Sequence, residues 1–415
     1  MSPPPSQREF ALQIVRQLRD AGHEALWAGG CVRDQLLGLE PKDYDVATDA
    51  RPEEIQALFG KRMTLSIGAA FELIGVLAGR GREPVEVATF RADGAYLDGR
   101  HPQSVFFTTA EQDAQRRDFT INGLFYDPLA NKVIDYVDGQ ADLAAGIVRA
   151  IGTPRDRFTE DKLRMLRAVR IAATFDFRIE TATLKAIQEM SVQVTAVSAE
   201  RIGAELERVL VHPQRAVGLE LLHESGLLQP LLPELANEAA NNTPTWQSTL
   251  EIVQRLESEN LSTALAALLH KVCGPRQVAS CGRRFRWSNK QIELAVWLVK
   301  NLATVQEANT LRWPKLQRVL VEEGAQELIA LARAVFGSAH AGVKHCVERM
   351  ALPAAQLNPP PLITGDDLVS RGMDPGPHFG SLLTAVRDAQ LEGQIASADE
   401  AWELIVNLTG KSDNL

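Results

Sequence analysis

The chain has 415 residues, of which 45% are hydrophobic, and a formal net charge of −9, so it is long enough for two to four domains that each bury a core. Its apolar runs are shorter than the ~18 residues of a membrane helix, and its first residues lack the basic start and apolar core of a secretory signal. Its four cysteines show no CxxC spacing, which disfavours a zinc site or a disulfide framework and predicts a cytoplasmic location.

Residues 1–150 alternate short strands with helices and are predicted to form an α+β head. Apolar periodicity and helix-boundary signals predict helices over residues 10–21, 32–37 and 52–58, and strands over residues 24–28, 43–47, 63–67, 73–78 and 85–90. Residues 91–102 are rich in glycine and charge and have no apolar period, which predicts a mobile loop.

The pattern beyond residue 158 is helical almost to the end of the chain. Prolines at positions 359–361 interrupt it and indicate a linker. The predicted organisation is therefore a head at residues 1–150, a helical neck at residues 151–235, a helical body at residues 236–357 and a helical tail at residues 358–415.

Two carboxylates one residue apart lie in a predicted strand of the head. Asp43 and Asp45 share a face because alternate side chains of a strand point the same way. Converging carboxylates repel each other unless a cation joins them, and Mg²⁺ binds one or two protein carboxylates together with substrate phosphates. The pair therefore predicts a Mg²⁺ site for phosphoryl-type transfer. Glu86, in another predicted strand, is either a third carboxylate of this site or a solvent-facing residue.

The segment Gly29-Gly30-Cys31-Val32-Arg33 suits a phosphate group. Glycine allows the backbone to approach a ligand closely, and the first turn of the helix that follows offers N–H groups. Arg33 adds a planar cation that matches phosphate oxygens. Gly30 and Arg33 are therefore predicted to bind a nucleotide beside the metal.

Four segments together resemble the class II nucleotidyltransferases, the family of tRNA CCA-adding enzymes and bacterial poly(A) polymerases. They are residues 29–48 (the glycine pair and the two carboxylates), 116–124 (RRDFTINGL), 134–143 and 157–170. Their order is highly specific, and the resemblance covers residues 25–235. It implies a DNA-polymerase-β-like head followed by an all-α neck, body and tail. It also implies addition of C, C and A to the acceptor end of tRNA from CTP and ATP, without a nucleic-acid template and with release of pyrophosphate.

The second segment contributes further nucleotide contacts by this resemblance. Arg117 is expected to bind the triphosphate, and Asn122 to hold the ribose. Asp118 is expected to orient Arg117. Alternatively, Asp118 and Asn122 cap a helix that starts near Thr120.

The fourth segment is predicted to read the base. On an ideal helix over residues 161–172, Asp161, Arg164, Arg167 and Arg170 lie opposite an apolar arc. Asp161 and Arg170 are about 180° apart on that helix, so four side chains cannot contact one base. We expect Asp161 and Arg164 to contact the base, and Arg167 and Arg170 to contact phosphate or to support the other two.

Hydrogen-bond chemistry explains how two side chains select two bases. Cytosine and adenine both place an amine donor beside a ring-nitrogen acceptor, so Asp161 can accept from the amine while Arg164 donates to the nitrogen. Uracil and guanine place a carbonyl oxygen where the amine should be. Such mismatches cost factors of about 10⁴–10⁵ in sites built around hydrogen bonds.

Three alternatives stay open at the level of sequence. The first is a poly(A) polymerase or A-adding enzyme with the same head. The segment of residues 93–100 resembles the flexible loop of complete CCA-adding enzymes, which disfavours a CC-only enzyme but does not exclude an A-only one. The second is an additional phosphohydrolase around His270, disfavoured because Lys271 occupies the position of a metal-binding aspartate in relatives. The third is an RNA-binding protein that has lost catalysis.

A basic segment in the predicted body is a candidate RNA contact. Residues 271–290 contain six Lys or Arg residues and no acid, and Phe285 and Trp287 lie among them. Basic-aromatic segments track nucleic-acid backbones, although a solvated basic loop has the same composition. The sequence does not define the oligomeric state.

Overall fold

The computed structural model describes residues 6–67, 73–79, 82–94 and 105–410. The chain divides into two compact units, Met1–Thr243 and Pro244–Leu415. Within the described ranges, no helix combines the length and apolar character needed to cross a membrane.

The first unit contains all the strands of the described structure. They are β1 (Ala25–Ala28), β2 (Val46–Thr48), β3 (Thr64–Ile67), β4 (Leu73–Val76), β5 (Val85–Thr89), β6 (Arg91–Asp93), β7 (Val105–Phe107), β8 (Phe125–Asp127), β9 (Lys132–Ile134), β10 (Ile147–Val148) and β11 (Arg178–Ile179). Seven of them form a mixed sheet in the order β3-β4-β5-β2-β1-β8-β9. At its centre, β2 is antiparallel to β1 and parallel to β5, with Val46 opposite Val87.

Helices surround this sheet and continue beyond it in the first unit. They are α1 (Gln7–Asp20), α2 (Gly30–Leu36), α3 (Pro52–Phe59), α4 (Ala110–Arg116), α5 (Gly139–Ala145), α6 (Pro154–Glu160), α7 (Leu163–Phe175), α8 (Thr181–Met190), α9 (Ala199–Val211), α10 (Arg215–Glu224), α11 (Leu228–Leu231) and α12 (Pro233–Ala240). Two 3₁₀ turns, Thr120–Asn122 and Ser191–Ala196, connect them. The head core lies between sheet and helices, where the rings of Phe90 and Phe125 pack edge to face.

The second unit is helical throughout its described part. Its helices are α13 (Pro244–Arg255), α14 (Leu261–Leu269), α15 (Pro275–Arg284), α16 (Asn289–Gln306), α17 (Trp313–Leu320), α18 (Ala325–Phe336), α19 (Ala341–Met350), α20 (Ala354–Leu357), α21 (Gly365–Ser370), α22 (His378–Leu391) and α23 (Ala398–Thr409). A separate apolar cluster joins α21, α22 and α23 around Leu368, Val386 and Ile405. The four-part division into head, neck, body and tail stays a prediction.

The predicted fold class, a mixed-sheet head followed by helices, is confirmed. Three local differences have physical causes. Strand β2 begins at Val46 rather than residue 43, because its pairing with β1 starts there. The predicted loop of residues 91–102 begins with a strand, since β6 pairs antiparallel with β7, and its residues 95–102 lie outside the described residues. A short parallel pair joins β10, at the end of the predicted head, to β11, which follows α7 inside the predicted all-helical neck.

Candidate active site

The ten residues predicted to bind metal or nucleotide lie around one cleft of the first unit, which has a volume of about 580 Å³. They are Gly30, Arg33, Asp43, Asp45, Arg117, Asn122, Asp161, Arg164, Arg167 and Arg170. Gly29, Arg116, Asp118, Leu163 and Arg201 also line the cleft. Among the described residues, its lining includes seven arginines and four aspartates, so the cleft carries an excess of positive charge that suits a polyanion.

The two carboxylates lie in the segment that directly precedes β2. Tyr44 between them is buried, and its ring packs edge to face on Trp27 with 4.8 Å between centroids. The backbone oxygen of Asp45 accepts a hydrogen bond from the Ala28 N–H at 3.0 Å. Because alternate side chains face opposite ways, burial of Tyr44 holds Asp43 and Asp45 toward the cleft.

Like charges accumulate near the starts of the two central strands β2 and β5. The surrounding protein, together with the carboxylates of Glu86 and Asp43, raises the pKa of Asp45 to about 6. Partial burial and Asp43 also raise the pKa of Glu86, which lies on β5 beside the start of β2. A divalent cation would relieve this repulsion, and substrate phosphates can complete its coordination. Within the described part of the chain, no three His, Cys, Asp or Glu side chains converge closely enough to form a complete metal site.

A tight turn brings the backbone to the floor of the cleft. Gly29 has φ +75° and directly precedes α2, so a residue with a side chain would be strained there. A Cβ at this position would also lie 3.0 Å from Nη1 of Arg117. Glycine therefore provides both the turn and the space that the arginine occupies.

Arg33 is held in place by three different contacts. Its Nη1 donates to Oδ1 of Asn122 at 2.6 Å, and its Nε and Nη2 donate to Oδ1 of Asp34 at 2.9 and 2.7 Å. Its guanidinium lies over the ring of Phe175 at 4.5 Å. These contacts hold the Arg33 side chain in one orientation near the N-terminus of α2, as a preformed anion site requires.

Arg117 is oriented by a residue that the sequence analysis did not identify. Its Nε and Nη2 donate to Oδ2 of Asp113 at 3.1 and 2.9 Å. The prediction that Asp118 orients Arg117 is wrong. Arg117 has extended backbone angles at the end of α4, so its side chain reaches back one helical turn to Asp113. The available signal was their i, i+4 spacing, which places two side chains side by side if the segment is helical, but no helix was predicted there.

Asp118 instead joins the second and fourth sequence segments. Its Oδ2 accepts from Nε of Arg167 at 2.8 Å, and its Oδ1 accepts from Nδ2 of Asn122 at 3.0 Å. Burial opposes ionisation, but Arg167 and these hydrogen bonds lower the pKa of Asp118 to about 2. The carboxylate is therefore ionised at neutral pH. Its pairing with Arg167 shows that Arg167 is engaged in a structural ion pair.

The fourth segment is not one continuous helix. Helix α6 ends at Glu160 and α7 begins at Leu163, while Asp161 has an extended backbone with φ −145° and ψ 106°. Oδ1 of Asp161 accepts from the Leu163 N–H at 3.0 Å, which replaces an intrahelical bond at the start of α7. The predicted helix start at residue 161 is wrong by two residues, and Asp161, which precedes the helix, lines the cleft.

Both predicted base-reading side chains have protein partners. Oδ2 of Asp161 accepts from Nη2 of Arg201 at 2.6 Å. Nη1 of Arg164 donates to Oε2 of Glu160 at 2.6 Å and to the backbone oxygen of Arg157 at 3.2 Å. Its Nη2 donates to the backbone oxygen of Arg116 at 3.2 Å. In the described contacts these bonds leave Nε–H and one Nη2–H of Arg164, and one acceptor site on Oδ2 of Asp161.

The last predicted arginine of this segment faces a buried carboxylate. Nε of Arg170 donates to Oε2 of Glu205 on α9 at 2.6 Å, and Glu205 also accepts from Arg208 at 2.8 Å. Burial lowers the pKa of Arg170, and Glu205 partly offsets this. Arg170 and Glu205 thus tie α7 to α9. Glu205 and Arg201 were not predicted, because nothing in the sequence of α9 marks it as facing the cleft.

The basic segment of the second unit differs from its predicted form. Phe285 and Trp287 are buried and pack on each other with 5.1 Å between centroids, so neither ring is available to stack on a base. The exposed cations Arg276, Arg283 and Lys300 line a separate groove between α15 and α16. His270, at the end of α14, lies in no cluster of metal-ligating residues in the described structure.

Comparisons with known proteins agree with this arrangement. The family model described as "Poly A polymerase head domain" matches residues 25–149, and that described as "Probable RNA and SrmB-binding site of polymerase A" matches residues 176–238. The chain is 33% identical to the CCA-adding enzyme of Limosilactobacillus reuteri over 400 residues, which cover 95% of this chain and 94% of that protein. It is 39% identical to poly(A) polymerase I of Haemophilus influenzae over 246 residues, 56% of this chain and 53% of that protein.

A solved structure matches over the full length. The Bacillus stearothermophilus CCA-adding enzyme in complex with CTP superposes with a TM-score of 0.78 and 28% identity, covering 99% of both chains. This match includes the head, so the predicted polymerase-β-like architecture is confirmed. The chain spans about half the length of the Haemophilus poly(A) polymerase but nearly the whole of both CCA-adding enzymes.

Proposed function

Because the chain belongs to the nucleotidyltransferase family of CCA-adding enzymes and bacterial poly(A) polymerases, we propose that it adds C, C and A to the 3′ end of tRNA. It uses CTP and ATP, needs no nucleic-acid template and releases pyrophosphate. The observation that carries this proposal is the likeness to CCA-adding enzymes along nearly the entire chain, second unit included. Because its substrate is tRNA, the proposed activity takes place in the cytoplasm.

In this proposal, the triphosphate binds in the cleft beside the start of α2. Gly30 offers backbone at the start of α2, and Arg33 and Arg117 lie beside it with their side chains fixed by Asn122, Asp34 and Asp113. Asn122, itself held by Asp118, contacts the ribose. Arg167 and Arg170 keep α7 against Asp118 and Glu205, so their contribution is support rather than direct contact with phosphate.

Asp43 and Asp45 hold the divalent metal that this family uses, and we propose that the ion is Mg²⁺. Their crowding with Glu86, which raises the pKa of Asp45, fits a hard dication that takes its other ligands from phosphates and water. When bound, Mg²⁺ supplies positive charge to the triphosphate and the departing pyrophosphate. In the reaction, the terminal ribose 3′-hydroxyl gives its proton to solvent water and its oxygen bonds to the α-phosphorus, while the bond from that phosphorus to the bridging oxygen of pyrophosphate breaks.

Asp161 and Arg164 select the base at the other end of the cleft. The acceptor site left on Asp161 receives the amine of cytosine or adenine, and a remaining N–H of Arg164 reaches the ring nitrogen beside it. Arg201 and Glu160 hold the two side chains before the nucleotide arrives. Asp161 and Arg164 therefore need not rearrange to distinguish CTP and ATP from UTP and GTP.

The acceptor RNA is gripped by shape and phosphates in this proposal. The groove lined by Arg276, Arg283 and Lys300 in the second unit is the candidate phosphate contact. Its cations are exposed, and none of the described residues that line it is acidic. Such contacts recognise the RNA backbone without reading its sequence.

Defined tRNA transcripts test the proposed reaction. Transcripts that lack all three terminal nucleotides, or only the terminal A, are incubated with CTP, ATP, UTP or GTP, singly and in pairs. We expect two additions from CTP alone on the first transcript and one addition from ATP alone on the second. Extension of the first transcript by ATP but not by CTP would overturn the proposal.

Poly(A) addition is the second candidate. The 39% identity to a poly(A) polymerase over 56% of the chain favours it, as does the match of residues 25–149 to the poly A polymerase head domain. The two candidates differ in what stops the reaction. A poly(A) polymerase continues to add A to an RNA without a tRNA fold, whereas a CCA-adding enzyme stops after the terminal A.

A further inference from the structure

We propose that Asp113 is a positioning residue that acts through Arg117, holding its guanidinium in the orientation that receives the nucleotide triphosphate. The inference rests on the proposed role of Arg117 in the cleft. It adds a residue that lies outside the cleft lining and outside the sequence segments that define the family resemblance.

The two oxygens of Asp113 serve different partners. Oδ2 accepts from Nε and Nη2 of Arg117 at 3.1 and 2.9 Å, which fixes the plane of the guanidinium. Oδ1 accepts from Nε of Arg116 at 2.9 Å and from the Arg91 N–H at 3.3 Å. The side chain of Asp113 is only 2% exposed, so water does not compete for these oxygens.

The remaining contacts of Arg117 direct it without fixing it. Its guanidinium lies over the ring of Phe125, 4.9 Å from the ring centroid. Its Nη1 donates a long hydrogen bond of 3.4 Å to the backbone oxygen of Asn122. A ring face permits the guanidinium to rotate in its own plane. The two bonds from Nε and Nη2 to the charged oxygen Oδ2 of Asp113 oppose that rotation, because bonds to an ionised acceptor are stronger than the other contacts of Arg117.

The charge of Asp113 is matched to this task. Burial opposes ionisation, but Arg117 and Arg116 lower the pKa of Asp113 below its usual value. The carboxylate is therefore charged at neutral pH. An amide of the same shape would lose one of the two accepting oxygens and would place N–H groups against a cation.

Asp113 also connects Arg117 to the strand pair β6–β7. It accepts the Arg91 N–H at the first residue of β6, and Arg116 donates to the oxygen of the same residue at 3.1 Å. A single buried carboxylate thus fixes both the beginning of this strand pair and an arginine of the cleft.

A double-mutant cycle tests the proposal in the full-length protein with tRNA substrate. The variants are Asp113→Asn, Arg117→Lys and the double variant, and Asp127→Asn is the matched control. Asp127 forms a similar carboxylate–arginine pair with Arg19 at 2.9 Å but does not line the cleft. The readouts are KM and kcat for the nucleotide that the wild type incorporates, KM for tRNA, and melting temperature.

We expect Asp113→Asn to lower kcat/KM for the nucleotide by about 10- to 100-fold while KM for tRNA changes by less than about 2-fold. We expect the double variant to use the nucleotide no worse than Arg117→Lys alone, because the effect of Asp113 on the nucleotide passes through Arg117. Losses that multiply in the double variant, or an effect no larger than that of Asp127→Asn, would overturn the inference.

The cycle separates this inference from the proposed function. If Arg117→Lys leaves nucleotide kinetics unchanged, the role of Arg117 is wrong and the inference falls with it. If Arg117→Lys impairs nucleotide use and Asp113→Asn does not, only the inference falls. Should melting show that Asp113→Asn is unfolded, Asp113→Glu, which keeps the charge but moves the carboxylate by one methylene, replaces it in the same cycle with the same criteria.

Discussion

Asp161 combines a structural and a proposed recognition role in one carboxylate. It accepts the Leu163 N–H at the start of α7 and pairs with Arg201. Both contacts fix its direction, so the proposed choice of base depends on a side chain that is already oriented. Precise orientation is what allows a hydrogen-bonding site to reject a base that lacks the matching donor.

Replacing Asp161 by alanine should remove the acceptor for the amine of cytosine and adenine. We expect kcat/KM for CTP and ATP to fall by about 10²- to 10³-fold and the preference for CTP over UTP to collapse. Single-nucleotide incorporation assays measure both. Glu189→Gln, which removes an exposed pair with Arg155, is the control and should leave nucleotide preference unchanged. An Asp161→Ala variant that still rejects UTP would contradict the assignment.

Asp118 should make stability depend on pH. Its folded-state pKa of about 2 is below the usual value, so its contribution is present above about pH 4 and is lost as pH falls toward 2. Asp118→Asn should therefore lower stability by about 2 kcal/mol at pH 7, a difference that shrinks as pH falls from 5 to 3. Melting temperatures of both proteins across this range measure it. A difference independent of pH would show that the ion pair with Arg167 is not its source.

Which residues gather around the cleft could be predicted from the sequence, but their mutual contacts could not. Four ordered segments were enough to place all ten predicted residues in one cleft. Asp118 was the predicted partner of Arg117, but the structure pairs it with Asp113, because Arg117 has an extended backbone at the end of α4. That conformation decides whether the arginine reaches backward or forward, and residue types alone do not encode it.

At the scale of elements, α5 packs against the Thr120–Asn122 turn, which contributes Asn122 to the cleft. Asp135 accepts the N–H groups of Val137, Gly139 and Gln140 at the start of this helix. Gly139 packs against the Thr120–Asn122 turn, which carries Asn122. The helix and the turn approach so closely that a Cβ at Gly139 would overlap the backbone oxygen of Thr120.

Gly139→Ala should therefore destabilise the head and disturb Asn122. Because the overlapping atom belongs to the backbone, relief requires movement of the turn, and we expect a loss of about 3 kcal/mol. Thermal melting and nucleotide KM measure the two effects. Gly380→Ala is the control, because a Cβ there meets nothing within 4 Å in α22. It should be neutral or stabilising by up to about 1 kcal/mol. Equal behaviour of the two variants would refute the packing argument.

The boundaries of elements show where sequence patterns are insufficient. The strand before Gly29 and the helix after it were predicted because apolar runs and glycines mark them. The break between α6 and α7 was missed, since the residues on both sides have helical periodicity and only the cap formed by Asp161 interrupts it. The burial of Phe285 and Trp287 was missed too. Arg286 between them has φ +57°, a turn that the charge pattern does not reveal.

At the scale of the whole molecule, the proposed function is divided between a unit with the cleft and a helical unit with a groove that carries three exposed cations. The protein is acidic overall, so RNA binding has to depend on local charge. The groove lined by Arg276, Arg283 and Lys300 provides such a charge in the second unit.

Replacing Arg276, Arg283 and Lys300 together by glutamine should weaken tRNA binding. Loss of three phosphate contacts should reduce the slope of log K against log salt by about two to three. Binding isotherms at several salt concentrations measure this, and KM for CTP should not change. Lys290→Gln, which removes an exposed cation paired with Glu323, is the control. An unchanged slope in the triple variant would exclude the groove as a tRNA contact.

The product formed on tRNA tests the central claim most directly. A tRNA transcript lacking its three terminal nucleotides is incubated with all four nucleoside triphosphates, and the intact mass of the product is measured. Addition of two C and one A, and then no more, is the predicted result. A product extended by A alone, or by a long tail, would contradict CCA addition and identify the chain as an A-adding or poly(A)-forming member of its family.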